Sequence, residues 1–252
     1  MLTAGKTLAI INQEGTQDGK REAMEKGLNN NKLKLLALGT MTVDHVGLVL
    51  FPETVWMRLV GRLAFPIFAY MIAEGCRYTR SMPRYFATLS ALAALCQVVY
   101  FFAMGSLYQS IMVTFTLSVG LIWLLKQGQK TGKTLWWVLG VLGSCGAFFV
   151  AEILPQWLSD TDFYVDYGFL GIMLPVGVYL CKAKGIQLLY TALVLALMSL
   201  TGWVGQWVSL LTVPLLALYN GRRGKWKLKW LFYLYYPLHL VAIQAIAYCL
   251  AL

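Results

Sequence analysis

From residue 32 onward the chain is a succession of long apolar stretches separated by short polar or basic breaks. The stretches run over 33–51, 55–74, 85–104, 108–125, 134–154, 164–181, 186–202, 204–219 and 230–250. Each approaches the roughly 17–25 residues that a helix needs to cross the hydrocarbon core of a bilayer. The pattern predicts an all-α polytopic membrane protein with about nine transmembrane helices. Segments 186–202 and 204–219 are short and nearly touch, so one re-entrant hairpin is the alternative there. Residues 1–31 depart from the pattern, with Asp18, Lys20, Arg21, Glu22, Glu25, Lys26 and the run Asn29-Asn30-Asn31. The apolar run Leu8–Ile11 is too short for a signal-peptide core. This segment reads as a disordered cytoplasmic tail ahead of a membrane domain over 32–252, with Met24 as a candidate start.

Composition narrows the class. Hydrophobic residues make up 59% of the 252 and charged residues 13%. Soluble domains are about 45–50% apolar and about 25% charged, so an ordinary soluble domain is excluded. Low hydrophobicity, which disorder requires, is absent. The formal net charge of +10 suggests nucleic acid in a soluble protein, but here its distribution along the chain explains it. With the N-terminus inside, 19 of the 21 basic residues fall in the tail and in the loops around 77–84, 126–133, 182–185 and 220–229. The opposite loops carry Glu53, Asp160 and Asp162. The positive-inside rule then predicts a cytoplasmic N-terminus and an extracytoplasmic C-terminus. No nucleic-acid partner is implied. The five cysteines lack any CxxC pair, so neither a disulfide framework nor a metal site is expected. The segment Gly128–Lys133 resembles a phosphate loop, but three residues separate its glycines where four are needed.

Ionisable residues inside apolar spans are costly and mark candidate functional sites. The first span carries Asp44 and His45, the second Arg58, Arg62 and Glu74. Asp166 and Tyr167 open the sixth, and His239 lies midway in the ninth. At 1.5 Å per residue, Asp44 and Arg62 both lie about 10 Å from the outer edge, on adjacent antiparallel helices. This depth predicts an Asp44–Arg62 ion pair, with Arg58 on the same face as Arg62. Adjacent helical residues point about 100° apart, which leaves His45 to face a cavity. His239 follows Pro237, which frees a carbonyl one turn earlier. Two basic loops, Arg77/Arg80/Arg84 and Arg222/Arg223/Lys225, either set topology or form an anion site for a phosphorylated cofactor or headgroup.

These ordered motifs resemble the TraX family, integral membrane acyltransferases like the F-pilin N-acetyltransferase. The resemblance is carried by Leu33–Gly47, Gly61–Ala69, Glu74-Gly75, Asp166-Tyr167-Gly168, Tyr219–Gly224 and Tyr233–His239. It implies acetyl-CoA as donor and an amine as acceptor, whether a peptide amine or another small amine or glycan. It also implies the bacterial cytoplasmic membrane as location. Asp44, His45, Arg58, Arg62, Glu74, Asp166 and His239 fall at its motif positions. Acetyl transfer needs a base for the acceptor and positive charge for the developing oxyanion. His45 suits the first role, with His239 as the alternative, and Arg58 or Arg62 the second. The basic loops would bind the CoA nucleotide, and its arm must run deep, since His45 lies about 18 Å from the inner end of its helix. Two other readings fit the same residues: a proton-coupled transporter or flippase, and a structural assembly protein.

Overall fold

The computed structural model describes residues 27–224, 226 and 229–250, which form a helical bundle containing no β-strand. Helix α1 spans Asn30–Val49. Helix α2, Val55–Gly61, is separated by Arg62 and Leu63 from α3, Ala64–Tyr78. Helices α4 (Met82–Met104) and α5 (Ile111–Thr131) follow. Helix α6 (Thr134–Phe148) runs through one π-helical turn, Phe149–Ile153, into the short α7 (Leu154–Trp157). Helices α8 (Gly168–Leu180) and α9 (Lys184–Thr201) precede a 3₁₀ helix, Val204–Leu211. Helices α10 (Thr212–Ala217) and α11 (Lys229–Cys249) come last.

Five continuous stretches are long and apolar enough to cross a bilayer: Val55–Tyr78, Met82–Phe102, Ile111–Thr131, Thr134–Trp157 and Lys184–Thr201. Gly168–Leu180, Val204–Ala217 and Leu234–Cys249 are apolar but shorter. Helix α1 has 20 residues, about 30 Å of helix, but carries Lys32, Lys34 and Asp44. Each apolar stretch of the sequence therefore has a helical counterpart, and five of them meet the full criterion of length and apolarity.

Three departures from uninterrupted helices have local causes. The stretch expected as one helix over 55–74 is broken at Arg62 and Leu63, whose amides donate to Leu59 and Val60, three residues back. Pro66 has no N–H for the Arg62 carbonyl, and its ring crowds that carbonyl. In the fifth stretch the π turn precedes Pro155 and turns Glu152 toward α8, where its carboxylate accepts from the Phe169 amide at 2.7 Å. An acidic group at a helix N-terminus is favourable. The third departure concerns 186–219. Helix α9 and the following 3₁₀–α10 segment form a hairpin that turns at Gly202-Trp203. At about 2.0 Å per residue in 3₁₀ and 1.5 Å in α geometry, the returning arm is roughly 25 Å long, close to bilayer depth. It returns to its starting end, where the Lys184 ammonium donates to the carbonyls of Ala217 and Tyr219.

Helix α3 is the hub. Phe65, Ile67, Ala69, Tyr70 and Ala73 are buried where α3 meets α1, α5 and α8. Peripheral α6 instead exposes Leu135, Val141 and Leu142, and α9 exposes Leu189 and Leu200. Such faces suit hydrocarbon. The basic loops gather at one end of the bundle, where side chains satisfy orphan carbonyls of helix C-termini. Arg77 donates to carbonyls of Val178, Tyr179 and Cys181, and Lys126 to Cys76. Residues just ahead of the boundary expected at 32 pack against the loop after α10. Leu28 pairs with Leu218 and Asn220, Asn30 donates to the Arg222 carbonyl, and Asn29 caps α1 through the Lys32 amide. Residues 1–26, with Met24, lie outside the described residues.

Candidate functional site

A cavity of about 440 Å³ lies between α1, α2, α3, α4 and α11 toward the end opposite the basic loops. Its wall includes Asp44, His45, Arg58, Arg62, Asp166 and Tyr167, which come from three separate parts of the chain. It reaches Ser106 and Asp162 in the loops after α4 and α7. Asp162 is exposed and accepts from the Ser106 hydroxyl (2.5 Å) and the Leu107 amide (2.9 Å). These two bonds hold its carboxyl below the usual range.

Close helix approach sets the cavity floor. A β-carbon on Gly61 would fall 2.2 Å from the Asp44 side chain, and one on Gly47 would fall 2.6 Å from Met57. Small residues at these points let α1 and α2 meet. Asp44 Oδ2 there accepts from Arg58 Nη1 at 2.7 Å. This corrects the expected Asp44–Arg62 pair. The Pro66 break ends α2 at Gly61, so Arg62 leaves the face it would share with Arg58 in an unbroken helix. Its guanidinium instead sits 5.2 Å from the Trp203 ring centroid, in a cation–π arrangement, and also hydrogen-bonds to Tyr167. Among the described residues Arg62 has no ion pair, and its buried Nε has no hydrogen-bond acceptor.

The two histidines meet. His239 Nδ1 lies 2.9 Å from the Tyr235 carbonyl, and His239 Nε2 lies 3.0 Å from His45 Nδ1. His45 Nδ1 is also 3.1 Å from the Met41 carbonyl. A carbonyl only accepts, so each Nδ1 carries the proton. In the neutral pair His239 Nε2 then accepts from His45 Nδ1, and His45 Nε2 keeps a free lone pair. His45 lines the cavity, and His239, which does not, lies behind it. The pair is braced by Tyr235, whose hydroxyl meets that of Thr42 at 2.6 Å.

Asp166 closes the opposite wall. Its Oδ1 accepts from the Tyr108 hydroxyl at 2.6 Å, and its carbonyl accepts from Thr114 at 2.6 Å. Tyr167 has a positive φ of 61°, and its ring stacks on Phe65 with centroids 3.8 Å apart. Such backbone in a bulky residue is strained and persists only where surrounding contacts over-determine it.

The remaining candidates lie elsewhere. Glu74 is buried and accepts from Arg77 at 2.6 Å, and the same guanidinium caps α8. Arg77, expected in the cofactor site, is engaged in these structural contacts. Arg80 and Arg84 are exposed around the start of α4, and Arg222 and Arg223 on the loop after α10. Lys225 lies outside the described residues. Sequence reasoning missed Tyr108, Tyr235 and Tyr236. The last two stand four and three residues before His239, so helical spacing alone puts them on its face.

The helices and the charged cavity within them define a multi-pass membrane protein with an intramembrane polar site. The chain belongs to the TraX family: the TraX protein family matches residues 29–247. The probable fimbrial assembly protein FimC, serogroup H1, of Dichelobacter nodosus is 23% identical over 241 residues, covering 84% of this chain and 93% of its own. The uncharacterized protein RP591 of Rickettsia prowazekii (strain Madrid E) is 46% identical over 48 residues. That match spans only 19% of each chain. No solved structure matches.

Proposed function

We propose that this protein is an acetyltransferase of the bacterial cytoplasmic membrane that moves an acetyl group from cytoplasmic acetyl-CoA to an amine. The carrying observation is the cavity in which a free imidazole nitrogen, His45 Nε2, shares a wall with Arg62, a guanidinium without a carboxylate partner. The basic end of the bundle faces the cytoplasm in this reading, with nine spans placing the two chain ends on opposite sides. Exposed Arg80, Arg84, Arg222 and Arg223 fit the phosphates of the donor, and Gly221, with a φ of 70°, lets their loop bend. When bound, the donor supplies a thioester-activated acetyl group.

His45 Nε2 takes a proton from the attacking amine as its nitrogen bonds to the acyl carbon. Negative charge growing on the acyl oxygen faces Arg62, whose charge is permanent. At about 4 Å and an effective dielectric of 20 such a contact is worth about 4 kcal/mol. The carbon–sulfur bond then breaks, and His45 returns its proton to the leaving thiolate. Protonated His45 keeps its Nδ1–H···Nε2 bond to His239, which spreads the charge over two rings. Asp44 pairs with Arg58, which leaves Arg62 free of a direct ion pair with it. The name of the Dichelobacter relative puts a fimbrial subunit among the acceptors to test.

Calorimetry of acetyl-CoA with the detergent-purified protein is the decisive test. Micromolar binding, lost in Arg222→Ala and retained in His45→Ala, is the expected result. A folded protein that does not bind acetyl-CoA would sink the proposal and favour a proton-coupled transporter built on the same charged cavity.

A further inference from the structure

Beside the polar cavity lies a second, apolar groove of about 340 Å³ between α4 and α11. Val99 and Tyr100 form one side, and Leu240, Val241 and Ala245 the other. Val241 and Ala245 are exposed, so the groove opens sideways toward lipid. Its depth matches that of the polar cavity, since both lie in the halves of α4 and α11 away from the basic end. Tyr100, Leu240 and Gln244 line both spaces and form the partition between them. The Tyr100 hydroxyl is hydrogen-bonded to Tyr236 across this partition. Gln244 makes no hydrogen bond among the described residues. Gln244 borders both the apolar groove and the polar cavity, and an amide without a partner at such a boundary favours a polar group beside it.

We propose that the groove holds the hydrocarbon chain of an amphiphilic acceptor whose amine-bearing head enters the cavity past Gln244. The inference rests on the acetyl-transfer reading and narrows the acceptor to a lipid-like amine. The order of chemistry along the path is that of such a molecule: apolar groove, one uncompensated amide, then Arg62 and His45. The shared lining by Tyr100, Leu240 and Gln244, with the groove opening to lipid, favours a molecule that is itself part chain and part polar head.

The test uses the full chain in phosphatidylcholine vesicles with two photoactivatable phosphatidylethanolamines, one carrying its diazirine on the acyl chain and one at the headgroup. The chain probe should label Val99, Val241 or Ala245 above the level seen at Val141 and Leu142, which report ordinary surrounding lipid. The headgroup probe should label the peptide containing His45 or the one containing Tyr167. Ala245→Trp, which fills the groove, should cut both signals about tenfold, equivalent to a loss of about 1.4 kcal/mol. Acetyl-CoA binding by Ala245→Trp should match the wild type and shows that the variant is folded. Groove labelling no stronger than at Val141 and Leu142, or chain labelling without headgroup labelling, overturns the proposal. So does exclusive labelling by a fimbrial peptide bearing a diazirine. Because labelling requires no donor, failure of acetyl-CoA binding in the wild type would count against the transfer reading alone.

Discussion

At the scale of single residues, the two histidines are neighbours with different tasks. His45 lines the cavity, whereas His239 does not and touches it only through His45; in the proposed reaction His45 is therefore the base and His239 acts through it. His45→Ala should therefore lower acetyl transfer about 10²–10⁴-fold, the usual weight of a general base. His239→Asn removes the acceptor of the His45 Nδ1–H, but the Met41 carbonyl remains as a substitute. Its loss should be smaller, with the basic limb of the rate–pH profile displaced. A larger loss in His239→Asn than in His45→Ala would reverse the assignment. The sequence already singled out both histidines, Arg58, Arg62 and Asp166, because an ionisable group in an apolar span is visible without a structure. It could not show who pairs with whom. Equal depth made Asp44 and Arg62 partners on paper, and a local break in the backbone gave Asp44 to Arg58 instead.

That break belongs to the scale of elements, and Pro66 causes it. Nothing in the hydrophobic pattern of 55–74 interrupts the helix. The signal was a proline four residues after Arg62, read as part of a motif and not as the loss of a hydrogen bond. Pro66→Ala restores the missing N–H and lets α2 and α3 run together. Arg62 should then swing under Arg58 and toward Asp44, away from Trp203. The expected result is a melting temperature held or raised, together with transfer reduced about 10²–10³-fold, the cost of losing one oxyanion donor. An unchanged rate would mean that the break does not position Arg62. The 3₁₀ helix is a second feature that hydropathy could not reveal. Its longer rise per residue lets a short segment return through the bundle, and its three-residue period sets Gln206, Ser209 and Thr212 on one buried face. A window average registers only that the segment is apolar and short.

At the scale of the whole molecule, the polar cavity and the basic loops lie toward opposite ends of the bundle. In the proposed reading the basic end faces the cytoplasm, as the positive-inside rule expects. The cavity reaches Ser106 and Asp162 at the other end, and the groove between α4 and α11 flanks it there. On the proposed reading, a donor held by Arg222 and Arg223 would meet an acceptor arriving from the far side or the lipid, across a protein that need not carry either one through. Sidedness follows. In sealed vesicles, orientation can be read from a membrane-impermeant maleimide on Arg84→Cys and on Asp160→Cys, both exposed positions at the two ends. Acetyl-CoA should support transfer only from the side on which Arg84→Cys is labelled. Transfer from the side of Asp160→Cys would place the donor in the cavity mouth and leave the basic loops to topology alone. Equal transfer from both sides would require a path for the whole donor through the bundle, which a cavity of about 440 Å³ gives no reason to expect.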